Sequence, residues 1–101
     1  MTMNEQTKVN TRNYLLSCII QALVGALTEN INRVSFNWEG SHLILRFNLN
    51  VDDSSDLEEI DDVIFELEAL LAGEYKIKYK VKIGDLDDLD ENEQIVFKMK
   101  N

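Results

Sequence analysis

The sequence predicts an α+β fold: a two-layer sandwich in αββαββ order, with two helices packed on one face of a four-stranded sheet. Three observations carry that expectation. Two stretches repeat apolar residues at steps of three and four, the spacing of one helix face. Four others alternate apolar and polar residues, the spacing of a half-buried strand. The chain has 101 residues, 45% of them hydrophobic, which suits one domain (1–101) with one core.

Residues 1–10 are polar and read as a frayed N-terminal segment. Asn10 or Thr11 caps a helix predicted over Thr11 to Thr28. Leu16, Ile19, Ile20, Leu23 and Leu27 form its main apolar stripe, widened by Leu15, Ala22 and Ala26. Ser17, Gln21, Gly25 and Thr28 make a narrow uncharged stripe opposite. A helix this apolar is either deeply buried or covered by another chain, so helix 11–28 is also a candidate homodimer face. Gly25 inside a helix costs about 1 kcal/mol relative to Ala.

The period then changes. Val34, Phe36 and Trp38 alternate with Arg33, Ser35 and Asn37. After the turn signal Glu39-Gly40-Ser41, Leu43, Leu45, Phe47 and Leu49 alternate with His42, Ile44, Arg46 and Asn48, completing a β-hairpin. Ser54 to Gly73 is an amphipathic helix with Leu57, Ile60, Ile64, Leu67 and Leu71 on one side. Ser55 and Glu58 have capping-box spacing, and Gly73 suits the helix end. In Tyr75 to Ile83, Tyr75, Ile77, Tyr79, Val81 and Ile83 point one way, and Lys76, Lys78, Lys80 and Lys82 the other. The acidic stretch 84–93 reads as a loop. Gln94 to Lys100 closes the fold, with Ile95, Phe97 and Met99 inward and Lys98 and Lys100 outward.

Charge is the chain's most distinctive property. The net charge is −9, against a generic nucleic-acid binder or a partner of anionic membranes. The second helix carries Asp56, Glu58, Glu59, Asp61, Asp62, Glu66 and Glu68, and no Lys or Arg lies between Arg46 and Lys76 to offset them. Arg33, Arg46, Lys76, Lys78, Lys80, Lys82, Lys98 and Lys100 all fall on the expected open face of the sheet. The prediction is a dipolar molecule, acidic on the helix side and basic on the sheet side.

Catalytic and metal motifs are not evident. An EF-hand starting at Asp88 needs glycine where Glu93 stands and a bidentate glutamate where Met99 stands. His42 is the single histidine and Cys18 the single cysteine, with no histidine near it in sequence. One cysteine forms no intrachain disulfide, in keeping with a reducing compartment. The N-terminus lacks the features of a signal peptide, and the apolar run 14–27 is too short to span a bilayer. The expectation is a cytoplasmic, non-enzymatic protein without cofactor or metal, and without direct contact to membrane or nucleic acid.

Four stretches, ALVGALTENI, RVSFNWEGSHLILRFNL, EEIDDVIFELEALLAG and YKIKYKVKI, in this order over residues 11–100, resemble small bacterial immunity proteins of the contact-dependent growth inhibition class. The resemblance implies a cytoplasmic protein that neutralises a cognate toxin domain delivered by a neighbouring cell; many such toxins are nucleases. Nucleases have basic phosphate-binding clefts, to which an acidic surface is steered and which it can block. The expected toxin-binding residues are Glu58, Glu59, Asp61, Asp62, Glu66 and Glu68 on the helix, and Asp85, Asp87, Asp88, Asp90, Glu91 and Glu93 on the loop. The competing readings are a non-catalytic adaptor or RNA-binding module using the basic sheet face, and a homodimeric regulatory protein.

Overall fold

The changes of apolar period fall where the backbone changes element. The computed structural model describes residues 2–86 and 88–99, with side chains from residue 5 onward; Asp87 and Lys100, assigned above to the acidic loop and the outward sheet face, lie outside the described residues. The elements are α1 (Thr2–Leu23), β1 (Ile31–Glu39), β2 (His42–Leu49), α2 (Ser54–Leu71), β3 (Lys76–Ile83) and β4 (Gln94–Lys98). The strands form one sheet in the order β3-β2-β1-β4. β1 is antiparallel to both β2 and β4, and β2 is parallel to β3. The parallel pair is linked through α2, because a parallel neighbour requires a crossover long enough to return the chain to its starting end.

The helices close one face of the sheet over a single core. α1 contributes Leu15, Ile19 and Leu23; β1 and β2 contribute Val34, Phe36, Leu43, Leu45, Phe47 and Leu49; α2 contributes Ile60, Val63, Ile64, Leu67 and Leu71. At both ends a polar contact joins the layers. The Tyr14 hydroxyl donates to Glu74 at 2.9 Å, and Thr28 and Asn30 donate to the buried Asp56 at 3.2 and 2.7 Å. The helices are therefore antiparallel, with Asp56 anchoring the start of α2 rather than facing solvent with the other acids.

Several details depart from the sequence reading. α1 starts at Thr2 instead of Thr11 and ends at Leu23 instead of Thr28. Gly25 lies beyond the helix with φ +82°, a conformation that favours glycine, so it ends the helix rather than weakening its interior. The buried stripe of α1 is centred on Leu15, Ile19, Ala22 and Leu23, with Ala26 buried just beyond the helix, while Ile20 on the helix and Val24 and Leu27 after it stay exposed. This sequence has more apolar residues than one buried face holds, so periodicity does not single out the stripe. The N-cap of α2 is Asp53, which accepts from the backbone N–H of Ser55 at 2.8 Å and Asp56 at 3.3 Å; the Ser55–Glu58 box is not used.

The edge strands hold two more departures. β4 carries a register shift opposite Val34 and Ser35: Phe97 pairs with Val34, but Ile95 pairs with Ser35. Val96 is the extra residue, and it moves Ile95 to the outer face, where it is 46% exposed. Tyr79 faces the helix layer opposite Leu45, yet it lies on an edge strand and remains partly in solvent, its ring edge-on to Phe47.

The largest departure concerns the outer face of the sheet. β3 and β4 occupy opposite edges, so the 84–93 segment must cross the sheet, and it does so over the face away from the helices. That face is not open throughout. Ser35 is 0% exposed and Asn48 is buried, both at outward positions of β1 and β2.

Candidate functional site

Two acidic regions were expected to act together, and the fold separates them. The first is the outer surface of α2. Glu58, Glu59, Asp61, Asp62, Glu66 and Glu68 are all exposed. Asp61 accepts a hydrogen bond from the Tyr79 hydroxyl, which together with burial and the Asp61 charge raises the Tyr79 pKa. The other five form no ion pair among the described residues. They are held on a rigid helix with like charges as neighbours, so their field points outward.

Among these acids stands Phe65, 77% exposed. Asp61 and Asp62 lie one turn before it and Glu68 and Ala69 one turn after it. An aromatic side chain presented to water beside three carboxylates has no role in the core. The sequence carried a usable signal for it: Phe65 breaks the Leu57, Ile60, Ile64, Leu67, Leu71 stripe and sits on the polar side.

The second region is the β3–β4 crossover. Asp85, Asp88, Asp90 and Glu91 are exposed, whereas the Glu93 side chain is only 2% exposed. Glu93 accepts from the Ser35 hydroxyl, accepts from the Asp90 N–H at 3.2 Å and approaches Arg46 at 3.2 Å. Arg46 also meets Asp90 at 3.3 Å. Burial alone would raise the Glu93 carboxyl, but the Ser35 hydroxyl, the Asp90 N–H and Arg46 outweigh it and hold the carboxyl below its ordinary range. These acids neutralise part of the basic sheet face instead of opposing it from the far side. The expected simple division into an acidic helix side and a basic sheet side therefore does not hold. What stays exposed of the basic face is the β3 edge, with Lys76, Lys78, Lys80 and Lys82 beside His42, Ile44, Arg46 and Asn48, and Lys98 on the β4 edge.

Among the described residues, no group of three or more His, Cys, Asp or Glu side chains is placed to hold a metal ion, and no helix is long and apolar enough to cross a membrane. The fold and these surfaces define a small α+β domain with an exposed acidic helix face. The sequence model of the MafI2 immunity protein family matches residues 12–101, and the chain belongs to that family. This agrees with the resemblance to small bacterial immunity proteins of the contact-dependent class, a related class. No curated protein matches the chain.

Proposed function

We propose that this chain is a non-catalytic immunity protein that binds a cognate toxin domain, a basic nuclease, one to one, and neutralises it in the cytoplasm through the acidic surface of α2. The observation that carries this reading is the set of exposed, unpaired acids on a rigid helix around the exposed Phe65. Membership of an immunity family supports the toxin as partner. Long-range attraction brings the two proteins together, and an apolar side chain flanked by charges supplies the desolvated centre that tight interfaces need. The exposed crossover acids Asp85, Asp88 and Glu91 extend the field, while Asp90 and Glu93 act first on their own sheet. The outer sheet face offers no Phe, Tyr or Trp at its paired positions, which weighs against its use as a platform for single-stranded RNA.

The test is to mix the purified chain with its cognate toxin domain. A one-to-one complex, loss of toxin activity and an association rate that falls with added salt are expected. A complex whose affinity is unchanged when Asp62 and Glu66 become Lys overturns the acidic-surface reading.

A further inference from the structure

Two cations of α1, Lys8 and Arg12, face a cleft at the β1 edge, with Glu39 also on its lining. β1 is nine residues long and β4 only five, and their pairing stops at Phe36 and Gln94. Beyond that point β1 has an unpaired edge at Asn37 to Glu39. The N-terminal turns of α1 overhang this edge and leave an open cleft of about 990 Å³. Lys8 and Arg12, one helical turn apart, line it from above. Trp38, half-buried and stacked on Phe36 with ring centres 6.0 Å apart, lines it from the sheet.

Two polar atoms in this cleft are buried without a hydrogen-bond partner, Arg12 Nε and Asn37 Oδ1. A buried donor and a buried acceptor left unpaired within the chain are costly unless a group from outside it supplies the missing bonds. Arg12 Nε, with Lys8 one helical turn away, is best satisfied by an anionic acceptor. Asn37 Oδ1 takes a donor such as an N–H, and the unpaired strand edge takes the alternating N–H and C=O groups of an extended chain. One peptide carries both groups: a carboxylate side chain and a main-chain N–H.

We infer that this cleft receives an extended, carboxylate-bearing segment of the toxin, with Arg12 and Lys8 on the carboxylate and Asn37 on the main chain. The inference rests on the proposed immunity function and adds a second contact of reversed sign. An interface that is acidic on α2 and basic at the cleft fixes orientation, because a rotated or unrelated basic protein meets like charges at one of the two points. A nucleic-acid strand also satisfies the cations, but it offers no alternating main-chain N–H and C=O to the strand edge, and the net charge of −9 repels it.

The test uses the full chain and the cognate toxin domain, with affinity measured by calorimetry and folding checked by circular dichroism. Arg12→Glu is expected to weaken binding roughly tenfold or more, and Lys8→Glu to weaken it in the same direction with a smaller effect. Unchanged affinity in both variants overturns the inference while leaving the acidic-surface reading intact. Should Arg12→Glu fail to fold, the exposed Lys8→Glu decides alone. Absence of any complex with the wild-type chain removes the parent reading, and this one with it. Saturable binding of an oligouridylate, lost in Arg12→Glu while toxin affinity is kept, also overturns it and assigns the cleft to a polyanion.

Discussion

The α2 surface and the β3–β4 crossover are alike in sequence and unlike in structure. Each contributes six acids to the expected binding surface. On α2, helical geometry keeps those acids outward, because the inner side of the helix is occupied by Ile60, Val63, Ile64, Leu67 and Leu71. On the crossover, the chain has to traverse the sheet, and Asp90 and Glu93 find Arg46 and Ser35 on the way. The difference teaches that acidic density in sequence does not measure acidic surface. An acid held at a fixed angle by a helix stays available to a partner. An acid on a long crossover is available only where the face it crosses offers no cation.

The largest expected effect tests the α2 half of this contrast. Asp62→Lys combined with Glu66→Lys should weaken toxin binding by about 3 kcal/mol or more, because charges brought against the partner's cations turn repulsive. Their folding stability should change within about 0.5 kcal/mol, as for surface positions without structural partners. Chemical denaturation and calorimetry on the same samples check both outcomes. Reversal of Asp85 and Asp88 should weaken binding less, mainly through a slower, less salt-sensitive association. Equal losses from both sets would erase the distinction between the two regions.

Phe65 sharpens the same half. Phe65→Ser should leave the melting temperature unchanged or slightly raised and weaken toxin binding by about 2 kcal/mol, as for an aromatic anchor at an interface centre. Loss of stability without loss of affinity would return Phe65 to a structural role.

The crossover half predicts the reverse pattern. Glu93→Ala should cost about 1–3 kcal/mol of folding stability, the range for losing hydrogen bonds to a charged group. Toxin affinity at a temperature where the variant is folded should change little. The sign with pH follows from the lowered carboxyl: the contribution is complete above the ordinary glutamate value of 4.5 and is lost as pH falls through the lower folded value. Denaturation curves of wild type and variant should therefore converge in acid. Curves that stay parallel would show that Glu93 acts by packing rather than by charge.

These contrasts also mark what sequence can reveal. The α2 surface was legible because both its faces are set by a local rule, the 3.6-residue repeat, and every exposed acid on it follows from that rule. The hairpin was legible for the same reason, and its two-residue turn places Gly40 at φ +58°, as a type II′ turn requires at its first central position. The crossover was not legible. Arg46 and Glu93 are far apart in sequence, and they meet only because β3 and β4 take opposite edges, which no local pattern specifies. Ile95 failed for a related reason: one extra residue at Val96 reverses the faces of β4, and alternation alone does not reveal a bulge. The cleft beside Arg12 depends on β4 being shorter than β1 and on α1 extending to Thr2, and both follow from where the helix and strand actually begin.

The smallest expected effect concerns the one α2 acid that breaks the contrast. Asp61 is not free: it accepts from Tyr79 on the neighbouring edge strand. Tyr79→Phe removes that bond while keeping the ring against Phe47, so stability should fall by no more than about 0.5 kcal/mol. The Tyr79 pKa is raised, so its contribution is complete below the ordinary tyrosine value of 10.0 and is lost as pH rises through the higher folded value. Wild type and variant should thus differ slightly at neutral pH and converge in strong alkali, the opposite direction to Glu93. The variant also releases Asp61 to move freely among its acidic neighbours. If Asp61 helps to meet the toxin, freeing it costs ordering on binding, and affinity should drop by a few tenths of a kcal/mol. If affinity instead rises, the Tyr79 bond competes with the toxin for Asp61, and α2 shares to a small degree the internal neutralisation that governs the crossover.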